Sequence, residues 1–320
     1  MSDVGVLDRL IAAAIPLVPA RLVRDFASPY IGGETLPQAM ATVDRLNAAG
    51  LAATLDVLGE HVRDAVSAEA MVGAYCAALD ALAARGADSG ISVKPSSLGA
   101  ALDADLCHDA VVDVLERASA GGRFVRLDME EAVTVDRTLK LYRRLRSEGH
   151  ENVGIVLQAR LWRTTDDVRR LVGLRPAVRL CKGIYLEPPT VAMQDRDAIR
   201  RSFSQLLRQL LRGGARVDVA THDELLVADA LGAFEELGVA RDGYEFQMLL
   251  GVRGDLAQTL RRAGHRVRIY VPFGRDVVPY SVRRLRENPA VAGHVARALA
   301  RDFGFAARRA GRRRTDRARR

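Results

Sequence analysis

The stretch that opens at Pro279 can start a helix, and on it Tyr280, Arg283, Arg284 and Glu287 fall at i, i+3, i+4 and i+7. One face therefore presents two guanidinium groups with a carboxylate one turn behind them. Arginine grips a carboxylate through two parallel hydrogen bonds, and a pair of arginines fixes both the charge and the orientation of the ligand. That face suits a small carboxylate. An RR-x-x-E run is equally an ordinary solvated face in an arginine-rich chain. The choice depends on what the rest of the chain brings to it. Just upstream, Val267, Ile269 and Val271 alternate with Arg268, Tyr270 and Pro272, the period of a half-buried strand, and a turn carrying Gly274 and Asp276 joins the two.

Seven more segments read as strands: 51–58 (LAATLDVL), 91–94 (ISVK), 124–129 (FVRLDM), 153–158 (VGIVLQ), 178–182 (VRLCK), 217–222 (VDVATH) and 244–249 (YEFQML). Amphipathic helical stretches lie between them, such as 71–84, 134–147, 200–212 and 224–237. Eight strand-then-helix units over about 250 residues match an α/β chain closed as a (β/α)8 TIM-type barrel. An open doubly wound sheet is the alternative, but no GxGxxG fingerprint follows the early strands. If the aliphatic positions face the helices, the last interior residues of the strands are Asp56, Lys94, Asp128, Gln158, Arg179, His222, Gln247 or Leu249, and Tyr270. Taken singly, each is an ordinary loop-capping or structural residue. As a set they form a polar ring at the end of the barrel where barrel enzymes keep their chemistry.

The ring limits that chemistry. His222 is the only interior histidine, so a metal centre lacks ligands. No serine sits in a GxSxG elbow, which argues against a serine hydrolase. Lys94 and Lys182 both lie near the mouth and keep open an imine-forming, aldolase-like enzyme. Residues alone thus lead to a barrel enzyme acting on a small carboxylate.

Composition adds bounds. The chain has 320 residues, 48% of them apolar and 28% charged, with a net charge of +8. Residues 308–320 hold eight arginines and one aspartate and carry +7 of that charge, so the body is nearly neutral and no specific nucleic-acid partner is expected. The tail reads as a disordered end; a non-catalytic role centred on it would bind acidic lipid or nucleic acid. Cys76, Cys107 and Cys181 are scattered without metal or disulfide spacing, which points to a reducing compartment. The apolar run LIAAAIPLVPA (10–20) follows Asp3 and Asp8 and is too short to span a bilayer. The expected organisation is an N-terminal helical segment over 1–50 packed on the barrel, the barrel over 51–307 and the tail.

Several long motifs, in order, resemble those of the bacterial monofunctional proline dehydrogenases. They are GETL (33–36), ISVKPSSLG (91–99), RLDMEE (126–131), VGIVLQARLWRT (153–164), VRLCKGIYLEP (178–188), ATHD (220–223), YEFQMLLGVR (244–253) and RVRIYVPFGRDVVPYSVRRLREN (266–288). Cys181, Leu186 and the Val277–Val278 pair depart from the residues common in that family. The resemblance implies a distorted (β/α)8 barrel with extra N-terminal helices. It implies an FAD-dependent oxidation of L-proline to Δ1-pyrroline-5-carboxylate, the first step of proline breakdown to glutamate. It further implies a membrane quinone as electron acceptor, a pyrroline-5-carboxylate dehydrogenase downstream, and a cytoplasmic enzyme peripheral to the inner face of the membrane. By the same resemblance, Arg283, Arg284 and Lys94 bind the substrate carboxylate, with Glu287 orienting the arginines. Tyr270, Tyr280, Tyr185 and Leu249 wall the ring pocket, and Asp128 lies near the amine. Arg179 faces the flavin N5. Met129, Gln158, Lys182, Gly183, Ile184, Thr221 and His222 complete the cofactor contacts.

Overall fold

The computed structural model describes residues 28–59 and 62–274. Eight parallel strands close into one barrel in sequence order, and every expected strand is present. They are β1 (Ala52–Val57), β2 (Ser89–Val93), β3 (Val125–Leu127), β4 (Val153–Gln158), β5 (Ala177–Cys181), β6 (Arg216–Ala220), β7 (Tyr244–Leu249) and β8 (Val267–Phe273). β8 pairs back onto β1, with Tyr270 opposite Thr54 and Val271 opposite Leu55. Strand ends move by one or two residues from the expected ones. Lys94 therefore sits one residue past β2, and Asp128 one past β3, at the start of the loops that carry the site.

The helices follow from amphipathic patterning and from aspartate caps. α1 (Leu36–Ala48) lies against β1 and β8, burying Ala39, Met40, Val43 and Leu46. α2 (Ala65–Ala84) starts six residues before the expected stretch because Asp64 caps it, accepting from the Ser67 N–H at 2.7 Å. α3 (Ala104–Ala120) and α4 (Val135–Ser147) follow, then the short α5 (Thr164–Leu171). α6 (Arg196–Arg212), α7 (Glu224–Glu236) and α8 (Gly254–Arg262) complete the described set. Asp103, Asp195 and Asp223 cap α3, α6 and α7 in the same way, so each of these loops enters its helix at a fixed angle. By length and composition α2 is the one helix among the described residues apolar enough to cross a membrane, yet Tyr75, Ala78, Leu79 and Leu82 pack it into the core. The aliphatic core lies between strands and helices, as the alternation requires: Leu55, Ile91, Leu127, Ile155, Leu180, Val219, Phe246 and Val271 are all buried.

The barrel interior departs from an aliphatic filling over its whole depth. Below the expected polar ring lies a floor of ions. Arg126 on β3 pairs with Asp218 on β6, and its Nη1 donates to the Ala177 carbonyl at 2.7 Å. Arg268 on β8 donates from Nε to Glu245 on β7 at 2.6 Å. Gly154 makes room for the Arg126 guanidinium, because a Cβ there would stand 2.5 Å from Arg126 Nη1 and 2.7 Å from the Ala177 carbonyl oxygen. Such ions persist in a dry interior only when each is paired and hydrogen-bonded.

Burial would raise the Glu245 carboxyl, but the Arg268 charge and its hydrogen bond, with Gln247 and Arg216, hold it down to about 2. An unfolded glutamate titrates near about 4.3. A depressed carboxylate contributes stability above its unfolded value and loses it as the pH falls through its folded one, here from about pH 4 to 2. The group should account for about 3 kcal/mol of acid-dependent stability. Glu245→Gln should be less stable than wild type at neutral pH, and its urea midpoint should fall less steeply across that acid window. Parallel slopes for the two proteins would contradict this.

Candidate active site

At the C-terminal ends of the strands four side chains close on one carboxylate. Asp128 Oδ1 accepts from Arg179 Nη1 at 2.8 Å and from Ser92 Oγ at 3.1 Å. Asp128 Oδ2 accepts from the Tyr270 hydroxyl at 2.8 Å. The Lys94 ammonium stands 3.9 Å from the same oxygen, 3.4 Å from the Tyr270 hydroxyl, and 2.6 Å from Asp56 Oδ1. Arg179 also donates from Nε to Gln247 Oε1, and its guanidinium lies 5.3 Å from the centroid of the Tyr270 ring. Six strands or their first loop residues thus hold one cluster with two cations and two carboxylates, a nearly neutral set.

Mutual pairing sets the protonation of the lysine. Burial opposes the charge on Lys94, but Asp56 and Asp128 outweigh it and raise the amine above its ordinary value. The Asp56 carboxyl is pushed up by burial and by Asp128, with Lys94 opposing. A lysine held as ammonium has no lone pair with which to attack a carbonyl, so this environment disfavours Lys94 as an imine-forming nucleophile. Lys182 is likewise paired, donating to Asp223 Oδ2 at 2.9 Å. Among the described residues no group of three or more His, Cys, Asp or Glu is arranged to hold a metal.

A second corner lies over β4, β5 and β6. Gln158 ends β4; its Nε2 donates to the Glu130 carbonyl at 2.8 Å, while its Oε1 is buried without a hydrogen-bond partner among the described residues. Gly183 adopts φ +100, and a Cβ there would stand 2.7 Å from that Oε1 and 2.8 Å from Arg160 Cδ. The loop 182–195 is tied down by Arg160, whose N–H donates to the Lys182 carbonyl at 3.0 Å and whose Nη1 donates to the Tyr185 carbonyl at 2.7 Å. Met129 and Thr221 are buried, Tyr185 and Leu249 are half-buried, and Ile184 is exposed. His222 Nε2 accepts the Leu249 N–H at 3.0 Å, joining the loop after β6 to the end of β7, where Leu249 pairs with Tyr270.

The structure thus brings Lys94, Asp128, Arg179 and Tyr270 into direct contact, and sets Gln158 beside Gly183. Tyr280, Arg283, Arg284 and Glu287 lie outside the described residues. Ser92, Asp56, Gln247 and Glu130 take parts in the site that the motif reading did not assign. Strand parity could have found Ser92, two residues before Lys94; Glu130 lies on the loop after β3, beyond the reach of parity. If the ion pair is as tight as its geometry, Lys94→Met should cost about 3 kcal/mol by stranding a buried carboxylate. Adding Asp56→Asn should recover a large part of that loss in chemical denaturation; strictly additive costs would contradict the pairing.

With this geometry in place, likeness to known proteins becomes informative. A family model described as proline dehydrogenase matches residues 39–297. The proline dehydrogenase of Deinococcus radiodurans is 37% identical, over 86% of this chain and 90% of that protein. Proline dehydrogenase 1 of Bacillus subtilis is 34% identical, over 85% of this chain and 90% of that protein. Among solved structures, proline utilization A from Bdellovibrio bacteriovorus superposes with a TM-score of 0.78 at 24% identity, a likeness of fold that covers 82% of this chain and 33% of that one. This chain spans about a third of that longer protein. By the reach of the family match and the identity to these full-length relatives, the chain belongs to the proline dehydrogenase family.

Proposed function

We propose that this oxidoreductase takes a hydride from C5 of L-proline, giving Δ1-pyrroline-5-carboxylate, with FAD as its bound acceptor. The observation that carries the reading is the cluster of Lys94, Asp128, Arg179 and Tyr270 at the C-terminal mouth of the barrel. The second corner fits a flavin: the buried Gln158 Oε1, without a hydrogen-bond partner among the described residues, is an acceptor suited to a ring N–H, and Gly183 leaves space that any side chain would fill. Gln158, Met129, Lys182, Gly183, Ile184, Thr221 and His222 would hold the cofactor, and Arg179 would face it. When bound, FAD supplies a two-electron acceptor at N5.

The protein positions and polarises the substrate. Arg283 and Arg284 grip the proline carboxylate, with Glu287 orienting the arginines and Lys94 completing the anion site as a hydrogen-bond donor. Tyr270, Tyr280, Tyr185 and Leu249 enclose the ring. Hydride leaves a carbon beside nitrogen most readily when the nitrogen lone pair is free, so the site must favour the neutral amine. Lys94 and Arg179 are already balanced by Asp56 and Asp128, so the potential that lowers the ammonium pKa falls to Arg283 and Arg284. Asp128 then accepts a hydrogen bond at the amine side. Electrons pass onward to a membrane quinone, and the pyrroline product goes to a pyrroline-5-carboxylate dehydrogenase. In this reading the enzyme is cytoplasmic and meets its acceptor at the membrane surface, where Val133, Trp162 and Leu186, large apolar side chains exposed on the loops after β3, β4 and β5, would suit an apolar contact.

The test is the visible spectrum of the purified protein before and after anaerobic L-proline. A yellow protein that bleaches is expected; one that bleaches only with another cyclic imino acid would move the substrate, and a colourless protein that neither binds FAD nor oxidises proline would overturn the reading. Arg283→Met should raise the KM for proline about tenfold or more with FAD still bound. Arg179→Met should mainly slow the bleaching, by about a hundredfold. Wild-type kinetics in both variants would refute the assignments.

A further inference from the structure

Glu130 lies on the loop after β3, two residues past Asp128, and is 2% exposed. Its Oε2 accepts the Ser96 N–H at 3.0 Å, and its Oε1 accepts the Ser96 hydroxyl. Ser96 belongs to the turn Pro95–Leu98 that follows Lys94 directly. That turn folds back on the lysine: Ser97 donates to the Lys94 carbonyl from Oγ at 2.8 Å and from its N–H at 3.0 Å. The main chain of Glu130 serves a different neighbour, since its carbonyl accepts from Gln158 Nε2 at 2.8 Å. One residue is thereby bonded to the turn behind Lys94 and to the amide of Gln158.

Resting on the function proposed above, we infer that Glu130 is a positioning residue, which holds the Lys94 turn through Ser96 and keeps Gln158 aimed with its Oε1 toward the cofactor corner. The chemistry supports this. Lys94 reaches Asp56, Asp128 and Tyr270 from a four-carbon stem, so a small movement of its main chain would break contacts of 2.6 to 3.9 Å. The turn contributes to that placement through main-chain groups, and a buried carboxylate accepting two hydrogen bonds from one residue is a strong way to hold it. Glu130 touches no reacting atom in this scheme. Its effect passes through Ser96 to Lys94, and through its own carbonyl to Gln158.

The experiment compares Glu130→Ala, Glu130→Gln, Ser96→Ala and the Glu130→Ala/Ser96→Ala double variant in the full chain. Amide hydrogen exchange across 94–99 reads the turn directly, without activity. Glu130→Ala should speed that exchange and raise the KM for L-proline about tenfold while changing kcat less. It should also weaken FAD binding to the apoprotein, measured by flavin fluorescence. Glu130→Gln keeps an acceptor for the Ser96 N–H and a donor for its hydroxyl, and should restore the turn. Ser96→Ala should show a smaller effect of the same kind, and the double variant should be no worse than Glu130→Ala. If Glu130→Ala does not fold, Ser96→Ala carries the test by its exchange and KM. Unchanged exchange in the folded variants, multiplying effects in the double variant, or a Glu130→Gln protein as impaired as Glu130→Ala would overturn the inference. A wild-type protein that fails to oxidise proline would instead overturn the functional reading and leave the exchange result standing.

Discussion

Asp128 ties the mouth of the barrel together: its two oxygens take Arg179 from β5, Ser92 from β2 and Tyr270 from β8, with Lys94 close by. In a site this buried, a charged hydrogen bond is stronger than in water and an unpaired ion is correspondingly costly. Removing the carboxylate would leave Arg179 with Gln247 and Ser92, and would take one acceptor from the Tyr270 hydroxyl. The cations at the mouth stay charged and aimed because anions of the fold hold them there.

The ring at the mouth continues downward. Gln247 accepts from Arg179 in the ring and donates from Nε2 to Glu245 in the floor at 2.6 Å, and Glu245 in turn takes Arg268. A single bonded path therefore runs through the barrel from Arg268 to Tyr270. An aliphatic plug would stabilise the barrel without directing any group, whereas this path sets the orientation of the Arg179 guanidinium from below. The same path explains why β7 and β8 carry Glu245 and Arg268 on the interior side; Arg126 on β3 and Asp218 on β6 form a separate pair beside it.

Much of this was legible in the residues. Period-two alternation located all eight strands because the helices cover one face and the interior the other, and the same parity placed Asp56, Lys94, Asp128, Arg179 and Tyr270 in one ring. Parity assigns a side, however, and says nothing of depth. Arg126 and Asp218 read as interior and still gave no sign that a buried floor lay under the site. Partners on different strands were also out of reach: Lys94 and Asp56 are 38 positions apart, and Arg179 and Gln247 are 68 apart. Pairings of that kind depend on strand register and tilt, which no local pattern encodes. Loop geometry was equally hidden, as with the Glu130 contact to Ser96, since a glutamate in a loop ordinarily reads as solvated.

The most direct measurement is the anaerobic rate of flavin reduction by saturating L-proline in Asp128→Ala, with circular dichroism to establish that the barrel is intact. With Arg179 and Tyr270 deprived of this common anchor, the rate should fall by about a hundredfold while the fold is retained. A folded Asp128→Ala protein that reduces its flavin at the wild-type rate would contradict the central role given to this carboxylate.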